Sequence, residues 1–220
     1  MLEFINLTKK YHYEQYNTIT GLNLTLTDKL NTLLIDAQSG KTTLCKLILG
    51  LEKPTAGKVV FCGKDCDQMD GKQLDATYLS KDLLLFENKT ALHNVAYPLV
   101  LRGQSKAQAN QVATKVLADV GIDPATPVKK MSLQQKVDVV LARLFARQSK
   151  LVLIDDFLPL LTRQQSAKLM DYLHQTDCFV LHLTSQLDLA FGKVYLYHDG
   201  QIYTQSIKEK MQDIIWLNNY

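Results

Sequence analysis

Three periodicities succeed one another along the chain. Between Leu2 and Leu34 apolar and polar residues alternate, most plainly at Leu22, Leu24 and Leu26, which predicts antiparallel strands with one buried face. The short run Thr32-Leu33-Leu34-Ile35 then leads into Ser39-Gly40-Lys41-Thr42-Thr43. A helical stretch follows, with Leu44, Leu47, Ile48 and Leu51 on one face and Gly50 near its end. Lys58-Val59-Val60-Phe61-Cys62 predicts a further strand, closed by Gly63. From about Lys89 to Val128 the period is helical throughout: Ser105 is an N-cap, Val112, Val116, Leu117 and Val120 form the apolar stripe, and Gly121 ends it. A second helix starts at Ser132 and turns Val137, Val140, Leu141 and Leu144 inward. Leu151-Val152-Leu153-Ile154 and the run from Cys178 to Leu183 are apolar enough for buried parallel strands, and the first ends in Asp155-Asp156. Val194 to Tyr203 predicts a hairpin around Asp199-Gly200. Strands, then helices, then strands alternating with helices predict an α/β core with an antiparallel β lobe and an inserted helical subdomain.

Composition narrows the classes without choosing one. At 220 residues and 46% hydrophobic content the chain suits a single globular domain with a full core. No apolar run approaches the roughly 18 residues of a membrane span, and Met1-Leu2-Glu3-Phe4-Ile5 lacks the basic and apolar regions of a secretory signal. The expected place is therefore the cytosol, with any membrane contact made through a partner. A net charge of +3 is too small and dispersed for nucleic acid, and a solvated loop accounts for Lys129-Lys130. Cys62 and Cys66 bracket a glycine turn, but no second pair completes a zinc site, so Cys45, Cys62, Cys66 and Cys178 read as reduced thiols. His12, His93, His174, His182 and His198 show no ligand spacing and read as surface or satisfied core residues. Asn6-Leu7-Thr8, Asn23-Leu24-Thr25 and Asn88-Lys89-Thr90 match a glycosylation pattern by chance. Trp216, beside Ile214, Ile215 and Leu217, is expected to dock a C-terminal helix.

A strand feeding Gly40-Lys41-Thr42 is a phosphate cradle: backbone N–H groups and the helix dipole hold phosphate, a lysine neutralises it, and a hydroxyl can bind Mg2+. The strict pattern wants glycine where Ile35 stands, so the fragment alone also fits an ordinary helix start. Asp155 at the tip of an apolar strand is the carboxylate that a Mg2+ beside such a loop requires, although a solvated strand end would look alike.

Nearly end to end, the chain resembles an ATP-binding subunit of the ABC transporter family. Ser39-Gly40-Lys41-Thr42-Thr43-Leu44 matches the second half of that family's P-loop. Gly50-Leu51-Glu52-Lys53-Pro54-Thr55-Ala56-Gly57, with Gly63, resembles its GLxxPTxG…G stretch, and Leu151 to Asp155 its Walker B strand. Phe86 to Leu99 resembles the importer-type segment that contacts the permease, and Ala142-Arg143 matches the AR pair. The resemblance implies a P-loop NTPase core of the ABC type over 1–220, with the helical subdomain at about 86–148. It implies ATP held by Tyr11 (stacking on adenine), Gln38, Ser39, Gly40, Lys41, Thr42 and Thr43, and Mg2+ held by Thr42 and Asp155. It also implies Asp156 as catalytic base, dimerisation with the same or another ABC ATPase subunit, and a membrane permease docked on about Thr90–Leu99 at the cytoplasmic face of the cell membrane.

The departures are as telling. The signature LSGGQ reads Met131-Ser132-Leu133-Gln134-Gln135, which loses both glycines and puts side chains where backbone approaches the partner's γ-phosphate. The Q-loop glutamine is Lys81, the glutamate after Walker B is Asp156, the next proline is Phe157, the D-loop aspartate is Thr162 and the switch histidine is Ser185. The expectation is an ATP-binding subunit with impaired hydrolysis. A slow but working transport ATPase, and an adaptor or regulatory protein that kept the fold, are the alternatives.

Overall fold

The computed structural model describes residues 1–13, 15–35, 40–205 and 207. The helix expected around Trp216 lies outside them. The chain divides into two compact units, one of residues 1–76 with those beyond 178 and one of residues 77–178.

In the first unit, β1 (Leu2–Lys9) pairs antiparallel with β2 (Ile19–Leu26), placing Leu2 opposite Leu26 and Phe4 opposite Leu24. The alternation in β1 breaks after Phe4 and resumes at Leu7, because a bulge intervenes: Asn6 takes φ 48, and its N–H donates to Asn23 Oδ1 at 2.9 Å. After β3 (Leu30–Ile35) comes α1 (Lys41–Ile48), then β4 (Ala56–Phe61), which pairs with β1, and the two-residue β5 (Lys64–Asp65). Leu44, Leu47 and Ile48 are buried as expected, but Leu51 falls past the end of α1 and is 70% exposed, so the predicted stripe is one residue too long.

The second unit opens after the single turn α2 (Gly71–Leu74), with β6 (Ala76–Ser80) leading into it. The predicted continuous helical region is two helices, α3 (Ala91–Leu101) and α4 (Lys106–Asp119). Gly103 with φ 96 and the Ser105 cap separate them, and Pro124 and Pro127 keep the stretch beyond Gly121 from continuing as helix. In α4 burial centres on Ala109, Ala113 and Leu117; Val112, Val116 and Val120 only flank that core. α5 (Leu133–Arg147) buries Val137, Val140, Leu141 and Leu144 as the spacing predicts. β7 (Leu151–Asp155), buried throughout, lies beside β6, and α6 (Arg163–Gln175) completes the unit.

The chain then returns to the first unit as β8 (Phe179–Thr184), β9 (Lys193–His198) and β10 (Gln201–Tyr203). β3 pairs in parallel with both β8 and β9, which is why its six residues carry almost no exposed position. β9 and β10 form the predicted hairpin, and Asp199 at φ 48 with Gly200 at φ 77 gives the two left-handed residues a tight hairpin needs.

Candidate functional site

Gly40 starts α1 in a left-handed conformation, φ 91, that disfavours any residue with a Cβ. A Cβ there would also stand 2.7 Å from Thr18 Cγ2 and 3.3 Å from the Thr18 carbonyl oxygen. Lys41 and Thr43 are buried and Thr42 is exposed. Gln38 and Ser39, expected beside them, lie outside the described residues. Among the described residues no side chain caps α1, whereas Thr90, Ser105, Ser132 and Thr162 cap the other long described helices, α3 to α6. A glycine start with no side-chain oxygen of its own, followed directly by a lysine, is an arrangement that suits a phosphate at a helix N-terminus.

Tyr11 is joined to this helix. Its hydroxyl donates to Glu52 Oε2 at 2.6 Å and lies 3.1 Å from Thr43 Oγ1. Glu52 Oε1 accepts from Lys46 Nζ at 3.1 Å, and Lys9 Nζ stands 3.4 Å from Glu52 Oε2. Burial, helped by the bond to Glu52, pushes the Tyr11 phenol up. Burial would also raise the Glu52 carboxyl, but hydrogen bonds from Tyr11, Lys46 and Lys9 outweigh it and hold Glu52 below the usual carboxylate range. Tyr11 walls a hollow of about 450 Å³ with Lys9, Lys10, His12, Lys53, Pro54 and Thr55. Glu52 was invisible to pattern reading, since a glutamate before Lys-Pro looks like solvated loop.

In the other unit, Asp155 ends β7 almost fully buried and accepts from the Tyr78 hydroxyl at 2.7 Å. Tyr78, on β6, is a second residue that spacing gave no reason to single out. Asp156 follows in a left-handed conformation, φ 48, which aspartate tolerates better than most residues. Phe157 is fully buried. Ser132 forms a complete capping box: its Oγ accepts from the Gln135 N–H at 3.3 Å, and Gln135 Oε1 accepts from the Ser132 N–H at 3.0 Å. Leu133 is 52% exposed, and Gln134 Nε2 donates to the Leu160 carbonyl at 3.4 Å. Thr162 makes the same box with Gln165 at the start of α6, and Lys81 is exposed in the turn after β6.

Arg143 reaches the loop beyond Lys81, donating to the Leu84 carbonyl at 2.9 Å and the Leu83 carbonyl at 3.1 Å. Both leucines are left-handed, at φ 59 and 48, an unusual pair for side-chain-bearing residues. Burial, with Arg147 adding to it, lowers the Arg143 guanidinium to about 10. Next along the chain, Phe86 packs edge-on to His93 and Tyr97, which stack on each other with centroids 5.4 Å apart, and Phe86 and Tyr97 stay partly exposed. Asn94 supports them by accepting from the Phe86 N–H at 2.7 Å.

One expectation about histidines is corrected. His182, on β8, is fully buried against Phe191, and neither ring nitrogen has a partner among the described residues, so it is core but not satisfied. Burial lowers it to about 4. The four cysteines form no disulfide among the described residues, and burial pushes the Cys66 thiol up to about 12. Among the described residues no helix is long and apolar enough to cross a membrane, and no cluster of three His, Cys, Asp or Glu is set to hold a metal.

The family model described as "ABC transporter" matches residues 21–158. The iron(III) ions import ATP-binding protein FbpC of Brucella abortus (strain 2308) is 30% identical over 203 residues, covering 89% of this chain and 53% of that protein. The cell division ATP-binding protein FtsE of Haemophilus influenzae (strain ATCC 51907 / DSM 11121 / KW20 / Rd) is 31% identical over 166 residues, 71% of this chain and 75% of its own. The chain thus spans about half the length of the import proteins it matches. The ATP-binding cassette MJ0796, solved as a dimer bound to ADP and Pi, superposes with a TM-score of 0.79 at 22% identity over 93% of this chain and 98% of that one. That likeness shows the fold and agrees with the α/β core expected from the sequence.

Proposed function

Because the chain belongs to the ABC transporter family, we propose that it is the ATP-binding subunit of an ABC complex and hydrolyses ATP poorly. The observation that carries ATP binding is the start of α1, where a left-handed Gly40 is followed by the buried Lys41 and the exposed Thr42. Tyr11 is the platform for adenine, and Gln38, Ser39, Gly40, Lys41, Thr42 and Thr43 form the phosphate cradle. Thr42 and Asp155 would hold the accompanying Mg2+. The fit rests on their chemistry: an exposed hydroxyl at the second position of α1, and a carboxylate at a strand end with one oxygen oriented by Tyr78.

Weak hydrolysis follows from four replacements. Asp156, the base, is one methylene short of glutamate. Ser185 cannot carry a histidine's charge. Leu133 and Gln134 fill the space that two glycines would leave for a partner's nucleotide. Each ATP in this arrangement would use one chain's cradle and the other's signature, so the changes affect both sites of a homodimer or heterodimer. ATP then acts mainly as a ligand that holds one conformation. In this reading the aromatic group of Phe86, His93 and Tyr97, within or next to Thr90–Leu99, is the contact for a membrane permease, with the chain at the cytoplasmic face of the cell membrane.

A slow transport ATPase is the second reading, favoured by the left-handed Asp156: aspartate suits that backbone, so its presence need not mean that catalysis was lost. Isothermal titration tests the binding claim. MgATP is expected to bind the wild type and to lose at least about tenfold in affinity on Lys41→Ala; equal affinities would remove the cradle. Phosphate release by the purified complex tests the rest. Turnover at rates usual for ABC ATPases, abolished by Lys41→Ala, would overturn poor hydrolysis.

A further inference from the structure

We propose that Glu52 is a positioning residue for the nucleotide base: it fastens Tyr11 to α1, so that base stacking and phosphate binding are set by one rigid cluster. The inference rests on the reading of Tyr11 as the adenine platform.

Tyr11 follows β1 in a loop, and an aromatic ring on a loop makes a poor platform unless something holds it. The far end of the ring is held. The phenol donates to Glu52 Oε2 at 2.6 Å, a short bond to a carboxylate, and touches Thr43 Oγ1 at 3.1 Å. Thr43 lies two residues after Lys41. The other carboxylate oxygen of Glu52 accepts from Lys46, which is three residues after Thr43 and therefore on the same face of α1. Glu52 thus bridges the tyrosine to the helix whose start is the phosphate cradle. Lys9 closes the cluster from the strand side. Its ammonium is 3.4 Å from Glu52 Oε2, donates to the Lys53 carbonyl at 2.8 Å, and sits 4.9 Å above the Tyr11 ring centroid. One ring face is thereby occupied by a cation, and a base takes the other. The depressed Glu52 carboxyl agrees with an ionised hub at neutral pH. The bond to Glu52 also raises Lys46, so that side chain stays cationic.

The test measures binding of MgATP and of magnesium tripolyphosphate, which has no base, to the full chain by isothermal titration. The variants are Glu52→Ala, Glu52→Gln, Tyr11→Phe, Tyr11→Ala and the pair Glu52→Ala with Tyr11→Phe. Glu52→Ala is expected to weaken ATP about five- to tenfold while leaving tripolyphosphate unchanged. Glu52→Gln, which can still accept from the phenol, recovers part of the loss. In the Tyr11→Phe background Glu52→Ala costs nothing further. Equal losses for ATP and tripolyphosphate would make Glu52 a merely structural residue and overturn the inference. So would an intact ATP affinity in Glu52→Ala while Tyr11→Ala weakens ATP, and in that case the platform reading survives. If Tyr11→Ala itself leaves ATP affinity unchanged, the platform reading fails and takes the role of Glu52 with it.

Discussion

Two helices of this chain, α1 and α5, begin where the ABC resemblance would put a triphosphate, and they begin in opposite ways. α1 starts on a left-handed glycine, with no side-chain cap among the described residues. α5 starts on a serine whose hydroxyl and amide are both engaged by Gln135 three residues on. The first arrangement suits an incoming anion, while the second has already satisfied its own end with neutral side chains. Helix capping, usually read as a matter of stability, here distinguishes the two starts, and under the proposed function α1 is the one that takes the nucleotide.

The largest expected effect tests the α1 side. Gly40→Val forces a β-branched residue to φ 91 and its Cβ into Thr18. It should cost about 4 kcal/mol of stability together with more than tenfold in MgATP affinity. A denaturant melt and a titration read the two, and a tolerated valine would dissolve the contrast between the helices.

Acid should expose a weakness in the unit that carries α1. His182 has a folded value near 4 against an ordinary 6.5, so its protonation favours unfolding. Stability is then whole above about pH 6.5 and falls by roughly 3 kcal/mol as pH drops to about 4. His182→Phe keeps the stack on Phe191 and should flatten that limb, as followed by urea melts between those pH values. An unchanged acid limb would show that other groups set it.

The α5 side is tested by restoring glycines. Leu133→Gly with Gln134→Gly should raise turnover of the assembled complex by about tenfold, or about 1.4 kcal/mol of barrier; no gain would free those side chains from blame. The smallest effect is Ser132→Ala, which removes the cap and should cost about 1 kcal/mol in a thermal melt. MgATP affinity of the isolated chain should not move, and a loss there would tie α5 to the chain's own nucleotide.

Most of the strands were legible in the sequence, because alternation and the Asp199-Gly200 turn encode local geometry directly. The Ser105 and Ser132 caps were legible for the same reason. The core of α4 was misjudged because alanine signals burial weakly: valines drew the stripe, while the buried line runs through Ala109 and Ala113. At the candidate site, Gly40, Lys41 and Asp155 could be named from spacing alone. Glu52 and Tyr78 could not, since each acts through one hydrogen bond to a residue distant in sequence. His182 carried no signal at all, because an unpartnered ring in a core obeys no local pattern.

The grip of Arg143 on Leu83 and Leu84 has a mechanical corollary. Arg143 and Ser132 stand on α5 and at its cap, about 16 Å apart along an axis that rises 1.5 Å per residue. α5 is thus a connecting rod, pinned at one end to a strained turn and ending at the other in a locked serine. One unbroken helix joins the two contacts, and in an amide-exchange experiment Arg143→Ala should free the turn while leaving the serine end as slow as before.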